Sequence, residues 1–429
     1  MSDSVDRRQF LGRSALTGAA AGLALGRLSA QDAAAPSNRV VVGVMGLSRG
    51  RALAQGFARQ PGVEVKYVCD IDKSRMGTAA SVVEKASGKA PQDVHDFRKI
   101  LDDKDVDALI CAAPNHWHAP ATILGCSAGK NVYVEKPCCH NPREGELMVA
   151  AARKNNRAVQ MGSQRRSGPS YIEAMKQLRD GVIGRVYCAR SYYSNERQTI
   201  GTGTKVNVPS NINYDLWQGP APRRDYVSNL VHYNWHWRWH WGNGELGNNG
   251  VHALDICRWG LEVNYPISVA SSGGRYRYSD DQETPDTHIV GFEFAEGKSI
   301  AWQGHSCNRH NHGFVTFYGE TGTLAIGGGG EYTIYDHKDK IVKQVKPTTR
   351  GDAEHIDNFV SAIRDDKPMS LNAEIETGYK STLLCLLGNI AHRTGRTLHC
   401  DSSDGKIKND PAAMKLWTRD YEKGWEPSV

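Results

Sequence analysis

Between residues 39 and 161, short apolar runs alternate with stretches of helical character, and this alternation constrains the fold more than any other feature of the chain. The apolar runs, each long enough for one buried strand, are 39–44, 63–69, 108–112, 131–134 and 158–161. The helical stretches between them lie near 51–60, 73–87, 119–128 and 142–155, and the last opens with a capping asparagine and a first-turn proline. Such strand–helix alternation predicts a parallel, doubly wound sheet of the Rossmann type.

The pattern changes after residue 162. Strand-like segments with period-two or aromatic character follow at 186–193, 268–278, 288–294, 299–303, 314–318, 323–326 and 332–335. They predict a large, mostly antiparallel sheet, with few helices near 170–179 and 250–261 and more helix at 355–364 and 374–392. We therefore predict an α/β chain with a signal and linker at 1–35, a Rossmann domain at 36–160, an α+β domain at 161–400 and a tail at 401–429.

The first thirty residues are typical of a targeting segment. The run Asp6-Arg7-Arg8-Gln9-Phe10-Leu11-Gly12 resembles a twin-arginine signal, and a weakly apolar stretch rich in Ala and Gly follows it. An amphipathic helix is the alternative, but glycines at 12, 18, 22 and 26 disfavour it. We therefore expect the twin-arginine (Tat) machinery to be a partner and the location to be periplasmic or otherwise extracytoplasmic. The ten cysteines show no spacing typical of structural zinc. A protein that folds in the cytoplasm before export can keep such cysteines as free thiols, which agrees with a twin-arginine signal.

The charge of the chain is modest. The formal net charge is +6, and two of these charges belong to the first thirty residues. Nothing in this balance requires nucleic acid or a membrane surface as a partner.

A glycine turn follows the first predicted strand, in the run Val40-Val41-Val42-Gly43-Val44-Met45-Gly46-Leu47-Ser48-Arg49-Gly50. Backbone N–H groups at such a strand–turn–helix junction can hold a pyrophosphate, so Gly43, Gly46, Ser48 and Arg49 are candidate cofactor residues. The spacing is irregular, because Ser48 replaces the middle glycine of the usual motif. Asp70 ends the next strand, where an acid accepts from ribose hydroxyls and disfavours a 2′-phosphate. NAD is therefore expected rather than NADP. The alternative for Asp70 is a cap of the helix that starts at Lys73, and the two roles are compatible.

Two further polar segments follow predicted strands. Pro114, Asn115 and His118 come after the strand at 108–112, and Glu135-Lys136-Pro137 comes after the strand at 131–134. Ligands of open α/β sheets bind at the carboxyl ends of the strands. We therefore expect Pro114, Asn115, His118 and Glu135 near the cofactor and the Lys136 ammonium beside a nicotinamide. The alternative for Lys136 is a solvated charge at a strand end.

With these motifs the chain resembles the glucose-fructose oxidoreductase, inositol dehydrogenase and MocA (Gfo/Idh/MocA) family, from about residue 39 to the helices near 392. Glu-Lys-Pro is the most specific of the shared motifs. The run Gly242-Asn243-Gly244-Glu245-Leu246-Gly247-Asn248-Asn249-Gly250-Val251-His252-Ala253-Leu254-Asp255 resembles the family's segment ending in Asp-x-Gly-x-His-x-x-Asp. The resemblance implies that His252 is the general base for a sugar hydroxyl and that Asp255 is the final acid. Asn248 stands where many members place an acid, and an amide cannot relay a proton.

A tryptophan-rich segment, 232–241, lies before this motif and holds four tryptophans in seven residues. Aromatic faces pack against the apolar face of a sugar, so Trp237, Arg238 and Trp239, with Asp255, are candidate substrate residues. The alternative is a strand whose aromatics are core. Six histidines, at 232, 236, 240, 305, 310 and 312, provide a metal alternative, but without acid or cysteine partners at diagnostic spacing we expect no metal.

The resemblance implies an exported NAD-dependent oxidoreductase that acts on a sugar, glycoside or polyol, and we expect a homo-oligomer. Export favours recycling of bound NAD, because free cofactor is scarce outside the cytoplasm. A glycoside hydrolase that uses NAD for transient oxidation and elimination is the first alternative. A catalytically silent, NAD-containing sugar-binding protein is the second; Asn248 favours it, and Lys136 and His252 oppose it.

Overall fold

The N-terminal domain is built around one six-stranded sheet. The computed structural model describes residues 38–295 and 297–429, so the predicted signal at 1–35 lies outside the described residues. The strands and helices of this domain alternate along the chain as β1 Val40–Met45, α1 Gly50–Ala58, β2 Val63–Cys69, α2 Lys73–Ser87, β3 Gln92–Val94, α3 Arg98–Asp102, β4 Ala108–Cys111, α4 Asn115–Ser127, β5 Asn131–Val134, α5 Pro142–Asn155 and β6 Val159–Met161.

All neighbouring strands of this sheet run parallel, in the order β3-β2-β1-β4-β5-β6. Every residue of β1 is buried, as expected for a central strand with helices on both faces. The order reverses between β1 and β4, and the carboxyl ends of these two strands open a crevice there. The sheet confirms the predicted Rossmann architecture.

The second domain carries a ten-stranded sheet. Its elements are α6 Pro169–Arg179, β7 Val186–Glu196, α7 Tyr214–Gln218, α8 Val251–Leu261, β8 Ser268–Gly274, β9 Thr287–Phe294, β10 Lys298–His305, β11 Cys307–Asn308, β12 Val315–Gly319, β13 Gly322–Ile326, β14 Tyr332–Asp336, β15 Ile341–Val345, α9 Asp352–Arg364, α10 Ile375–Thr394, β16 Leu398–His399 and α11 Pro411–Met414. The strand order is β15-β14-β13-β12-β7-β10-β9-β8-β16, and β11 pairs with β7. Strands β7 and β10 pair in parallel and the other neighbours pair antiparallel, which confirms the predicted mostly antiparallel sheet.

Helices α8 and α10 cover the sheet and position one wall of the crevice. Helix α8 packs on β7, β10 and β12, and α10 packs on α8, β8 and α5. Helix α10 is buried around most of its circumference, because it lies between the two domains. A π-helical turn, Leu246–Gly250, runs directly into α8 and carries Asn248 toward the first domain.

Two later segments return to the first domain. Helix α9 packs there through Phe359, whose ring centroid lies 6.1 Å from that of Phe57 and 5.9 Å from that of Tyr133. In the tail, Arg419 forms an ion pair with buried Glu144 at 2.7 Å. The predicted boundaries place both segments outside the first domain, although their buried side chains join it.

Residues 197–245, here called the strap, connect β7 to the π-helical turn. The strap has its own small aromatic core, formed by Tyr214, Trp217, Ala221, Tyr226, Leu230, Trp235 and Trp241. It is held to the first domain near Asp72, whose carboxylate accepts from the Asn211 amide at 2.7 Å. The backbone N–H of Asn213 also donates to the Ile71 carbonyl at 2.9 Å. The strap therefore closes one side of the crevice.

Two further properties follow from the described residues. None of the helices within 38–295 and 297–429 combines the length and the apolar character needed to cross a bilayer. All ten cysteines lie in the described part of the chain, and each is a free thiol.

Candidate active site

One cleft of about 340 Å³ lies at the carboxyl ends of β1 and β4, between the two domains and beneath the strap. Its volume is in the range of small-molecule sites. It brings together most of the predicted site residues, namely Gly46, Ser48, Arg49, Asp70, Pro114, Asn115, His118, Glu135, Lys136, Asn248 and His252.

The turn after β1 is shaped for close approach of a ligand to the backbone. Gly46 has a φ of +86°, and a Cβ there would lie 2.6 Å from the carbonyl carbon and oxygen of Ala112. Helix α1 begins at Gly50, directly after this turn. Such a turn leading into a helix N-terminus fits the pyrophosphate of a dinucleotide. Gly43 lies within β1 and outside the cleft lining, where a Cβ would come 2.4 Å from Ile100.

Asp70 ends β2 at the edge of the same turn. One carboxylate oxygen accepts from the Leu47 N–H at 2.7 Å and the other accepts from the Asp72 N–H at 2.9 Å. Each oxygen keeps a second lone pair, so the carboxylate fits a ribose diol. Burial raises the pKa of Asp70 above its ordinary value, and the two N–H donors oppose that shift. The cap of α2 is Asp72, which accepts from Ser74 N–H, so the helix-cap alternative for Asp70 is wrong.

Arg49, which follows β1, forms an ion pair with Glu135, which follows β5, at 3.1 Å, and it also contacts Asp352 at 3.0 Å. His118 is buried with its two ring nitrogens 2.6 Å from the Pro137 carbonyl and 2.7 Å from the Ala113 carbonyl. Because carbonyl oxygens occupy both nitrogens, His118 has no free lone pair directed at a ligand. It instead holds the backbone that follows Lys136.

Lys136 is anchored by one residue of the π-helical turn. Its Nζ donates to the Asn248 carbonyl oxygen at 2.7 Å and to Asn248 Oδ1 at 3.1 Å. Burial lowers the pKa of Lys136 below its ordinary value, while the carboxylates of Glu135 and Glu245 oppose that shift. The two oxygens of Asn248 fix the ammonium in the cleft. Because these contacts use Oδ1 as the acceptor, the Asn248 amide nitrogen points the other way, toward the Tyr233 hydroxyl at 3.5 Å.

His252 lies one turn after Asn248, in the first turn of α8. Within the described ranges its imidazole makes no hydrogen bond, and it lines the cleft beside Lys136. Burial lowers the pKa of His252 well below 6.5, and the charges of Arg165, Lys136 and Arg49 lower it further. The imidazole is therefore uncharged at neutral pH and has a free lone pair for a proton.

The four predicted substrate residues lie outside the cleft lining. Trp237 is buried against the Arg197 guanidinium at 4.6 Å. Arg238 pairs with Asp281 at 3.0 Å, and the Arg393 guanidinium lies 5.2 Å from the Trp239 ring. Asp255 is buried in an ion pair with Arg166 at 2.9 Å. These contacts engage all four side chains with other parts of the protein rather than with the cleft.

The backbone conformation of the strap explains why Trp237 and Trp239 lie outside the cleft lining. Residues Asn234–Trp237 form a 3₁₀ helix rather than the alternative strand, and a 3₁₀ helix turns by a third of a circle per residue. This turn directs Trp235 and His236 to the cleft and Trp237 away from it. The lining residues Arg75, His95, Gln164 and Tyr233 were not predicted from the sequence. Of these, only Tyr233 lies in the tryptophan-rich segment and so carried a composition signal.

No group of three or more His, Cys, Asp or Glu side chains in the described part of the chain is arranged to hold a metal ion. Four of the six histidines considered for a metal have separate partners. His232 lies 2.8 Å from Asp72, and His240 lies 2.8 Å from the Pro222 carbonyl. His236 lies 2.6 Å from the Tyr233 carbonyl, and His305 lies 2.7 Å from the Gln303 amide.

Two family models match the chain. Residues 37–163 match "Oxidoreductase family, NAD-binding Rossmann fold", and residues 195–427 match "Oxidoreductase family, C-terminal alpha/beta domain", both of the Gfo/Idh/MocA group. The N-terminal domain is therefore an NAD-binding Rossmann domain.

Similarity to curated relatives is concentrated in part of the chain. Inositol 2-dehydrogenase of Salmonella paratyphi B is 33% identical over 146 residues, which cover 34% of this chain and 41% of that protein. A glycosyl hydrolase family 109 protein of Solibacter usitatus is 26% identical over 210 residues, which cover 46% of this chain and 48% of that protein. The matches thus span less than half the length of these relatives.

The fold extends over most of the chain. The solved structure of levoglucosan dehydrogenase with NADH and levoglucosan superposes with a TM-score of 0.65 at 19% identity, covering 84% of this chain and 99% of that one. At this identity the likeness shows a shared fold.

Proposed function

Because the chain belongs to the Gfo/Idh/MocA oxidoreductase family, we propose that it is an NAD-dependent oxidoreductase acting on a CH–OH group of a sugar, glycoside or polyol. The observation that carries the proposal is the convergence of Lys136, Asn248 and His252 on one cleft that also holds the dinucleotide-shaped turn. A relative that oxidises inositol and a structural neighbour that binds levoglucosan support this substrate class.

The roles of the side chains follow from their charges. NAD, when bound, supplies the hydride acceptor. His252 takes the hydroxyl proton, because its low pKa leaves the imidazole uncharged. The Lys136 ammonium orients that hydroxyl and stabilises the developing alkoxide, while Asn248 holds the ammonium in place. Asn248 does not relay a proton, so the proton leaves from His252 to solvent.

We test this function with a panel of probes. Purified protein loaded with NAD is mixed with myo-inositol, levoglucosan, D-glucose and simple glycosides, and reduction of the cofactor is followed by its absorbance. Reduction by at least one probe in the wild type, and its loss in Lys136→Ala, is the expected result. Sugar binding without any change in the cofactor spectrum would favour the silent sugar-binding alternative.

We also propose export in folded form through the twin-arginine pathway. Arg7-Arg8 followed by a weakly apolar stretch supports it, and ten free thiols agree with folding before export. Changing Arg7 and Arg8 together to lysine should leave the protein in the cytoplasm, whereas the matched Arg13→Lys change should not. Unaltered export of the double variant would contradict the proposal.

A redox-neutral glycoside hydrolase is the second candidate. The match to a glycosyl hydrolase family 109 protein favours it, as does the scarcity of free NAD outside the cytoplasm. Release of the aglycone from a glycoside probe, with no net NADH formed after complete turnover, separates this reaction from net oxidation.

A further inference from the structure

We propose that Tyr233 and His236 form a donor–acceptor pair that recognises the hydroxyl group next to the one that reacts, so that the substrate is a vicinal diol. The proposal rests on the proposed function, because it identifies the substrate subsite of the same cleft. Both side chains line the cleft beside Lys136, Asn248 and His252.

His236 is held as a fixed hydrogen-bond acceptor. Its Nδ1 lies 2.6 Å from the Tyr233 carbonyl oxygen. A carbonyl oxygen only accepts, so Nδ1 carries the hydrogen and Nε2 carries the lone pair. The ring is stacked on Trp235 with a centroid distance of 3.6 Å and an interplanar angle of 20°. Since packing fixes the ring and the Tyr233 contact fixes the tautomer, the accepting nitrogen has one orientation.

The imidazole of His236 is uncharged across the working pH range. Burial lowers the pKa of His236 to about 3, and the positive charges of Lys136 and Arg197 contribute to that shift. The Nδ1 hydrogen is committed to the Tyr233 carbonyl, and Nε2 remains free to accept from a ligand. None of the described residues forms a hydrogen bond with this nitrogen, so it is available to a ligand in the cleft.

Tyr233 is the complementary donor. Its hydroxyl oxygen accepts from Arg197 Nη1 at 3.1 Å and from Asn248 Nδ2 at 3.5 Å. Arg197 is itself fixed by an ion pair with buried Glu245 at 2.5 Å. Because both lone pairs of the phenol receive donors, its own proton is left to donate to a ligand.

Asn248 connects this pair to the reacting centre. Its carboxamide accepts from Lys136 through Oδ1 and faces the Tyr233 hydroxyl through Nδ2. A single amide therefore separates the Lys136 ammonium from the Tyr233 hydroxyl. The Lys136 ammonium and the Tyr233 hydroxyl thus contact opposite ends of one carboxamide, and we place the reacting hydroxyl at the Lys136 end and its neighbour at the Tyr233 end. The stacked face of Trp235 is already covered by His236, so recognition here is by hydrogen bonds rather than by ring stacking.

The test compares diols with their deoxy analogues by equilibrium binding. NAD-loaded wild type, Tyr233→Phe and His236→Phe are titrated with D-glucose, 2-deoxy-D-glucose, 3-deoxy-D-glucose, myo-inositol and levoglucosan, and binding is followed by tryptophan fluorescence. Tyr276→Phe is the control, because that tyrosine is highly exposed and lies outside the cleft. We expect the wild type to prefer a diol over at least one deoxy analogue by about 10-fold to 100-fold, the scale of one unsatisfied hydrogen bond.

The two variants should reduce this preference several-fold, with NAD affinity and melting temperature unchanged, and the control should keep it. Equal loss for diol and deoxy probes, an unchanged preference, or no binding of any probe by the wild type would overturn the proposal. Tyr233→Phe removes one oxygen atom only, so it remains informative if His236→Phe does not fold. Diol-selective binding without cofactor reduction would support the subsite while contradicting the oxidoreductase function.

Discussion

The two ends of the cleft are built on different principles. At the cofactor end, the turn after β1 and the Asp70 carboxylate are held by backbone donors within the parallel sheet. At the substrate end, the strap and a π-helical turn carry the polar groups, and these groups touch one another through side chains. The first end is defined by main-chain geometry, whereas the second depends on rotamers and tautomers of individual residues.

This difference predicts how each end responds to substitution. A change at the cofactor end should alter NAD affinity and leave sugar binding intact. A change at the substrate end should alter turnover or sugar selectivity and leave NAD bound. Variants that affect both ends equally would show that the two ends act as one unit.

The largest effect is expected from removing Lys136 or His252. Lys136→Ala and His252→Ala should each lower turnover by on the order of 10²-fold or more, because the alkoxide then loses its cation or its proton acceptor. Single-turnover reduction of bound NAD measures the effect, with the amount of bound NAD as the internal control. Near-wild-type turnover of His252→Ala would move the base role to another residue, and His118 is a poor substitute because both of its nitrogens are occupied.

The sequence was sufficient for the cofactor end. Apolar runs of strand length and a glycine turn specify a parallel sheet, and the sheet then places Gly46, Asp70 and Lys136 at one edge. The short elements β3 and α3 were missed, because three and five residues are too few to show a period. Strand β15 was missed because it lies at the edge of its sheet and is mostly exposed.

The substrate end was predicted only in part. The resemblance identified Asn248 and His252, which the structure places in the cleft, but the tryptophan-rich segment gave Trp237 and Trp239 instead of Trp235 and His236. Composition indicated an aromatic segment without indicating its 3₁₀ turn. Asp255 matched the family motif, yet it lies in a buried ion pair because Arg166 and Ser381 converge on it. Contacts between residues far apart in sequence decided these positions.

The next largest effect concerns Asp70. Asp70→Ala should weaken NAD binding by about 1–3 kcal/mol, the scale of a lost charge-assisted hydrogen bond. Titration of NAD against tryptophan fluorescence measures it, and Asp93→Ala is a suitable control because that residue is exposed and outside the cleft. Tighter binding of NADP than NAD by the wild type would contradict the assignment of Asp70 to the ribose.

The third prediction is that activity, which depends on the substrate end of the cleft, varies with pH, whereas NAD affinity does not. His252 must be unprotonated to act, and its pKa is lowered, so activity should rise with pH through a limb that lies below pH 6.5. Lys136 must be protonated, and its pKa is also lowered, so activity should fall through a limb below pH 10.5. The pH dependence of kcat/KM measures both limbs. Lys136→Arg should remove the alkaline limb, since guanidinium stays charged, and NAD affinity should follow neither limb.

The smallest effect is expected at Asn248. Asn248→Asp keeps an oxygen 3.1 Å from the Lys136 ammonium but adds a negative charge, which stabilises the ammonium and raises the pKa of Lys136. The alkaline limb should therefore move to higher pH, while turnover near neutrality changes by no more than about 10-fold, because the cation and the base both remain. The carboxylate also loses the N–H that faces Tyr233, so sugar selectivity should weaken slightly in the same variant.

Asn248→Ala is the matched control, since it removes the side-chain oxygen without adding charge and leaves the backbone contact at 2.7 Å. An alkaline limb that stays in place in Asn248→Asp would mean that Lys136 is held by the backbone carbonyl alone, and the amide would then serve only the Tyr233 side of the cleft.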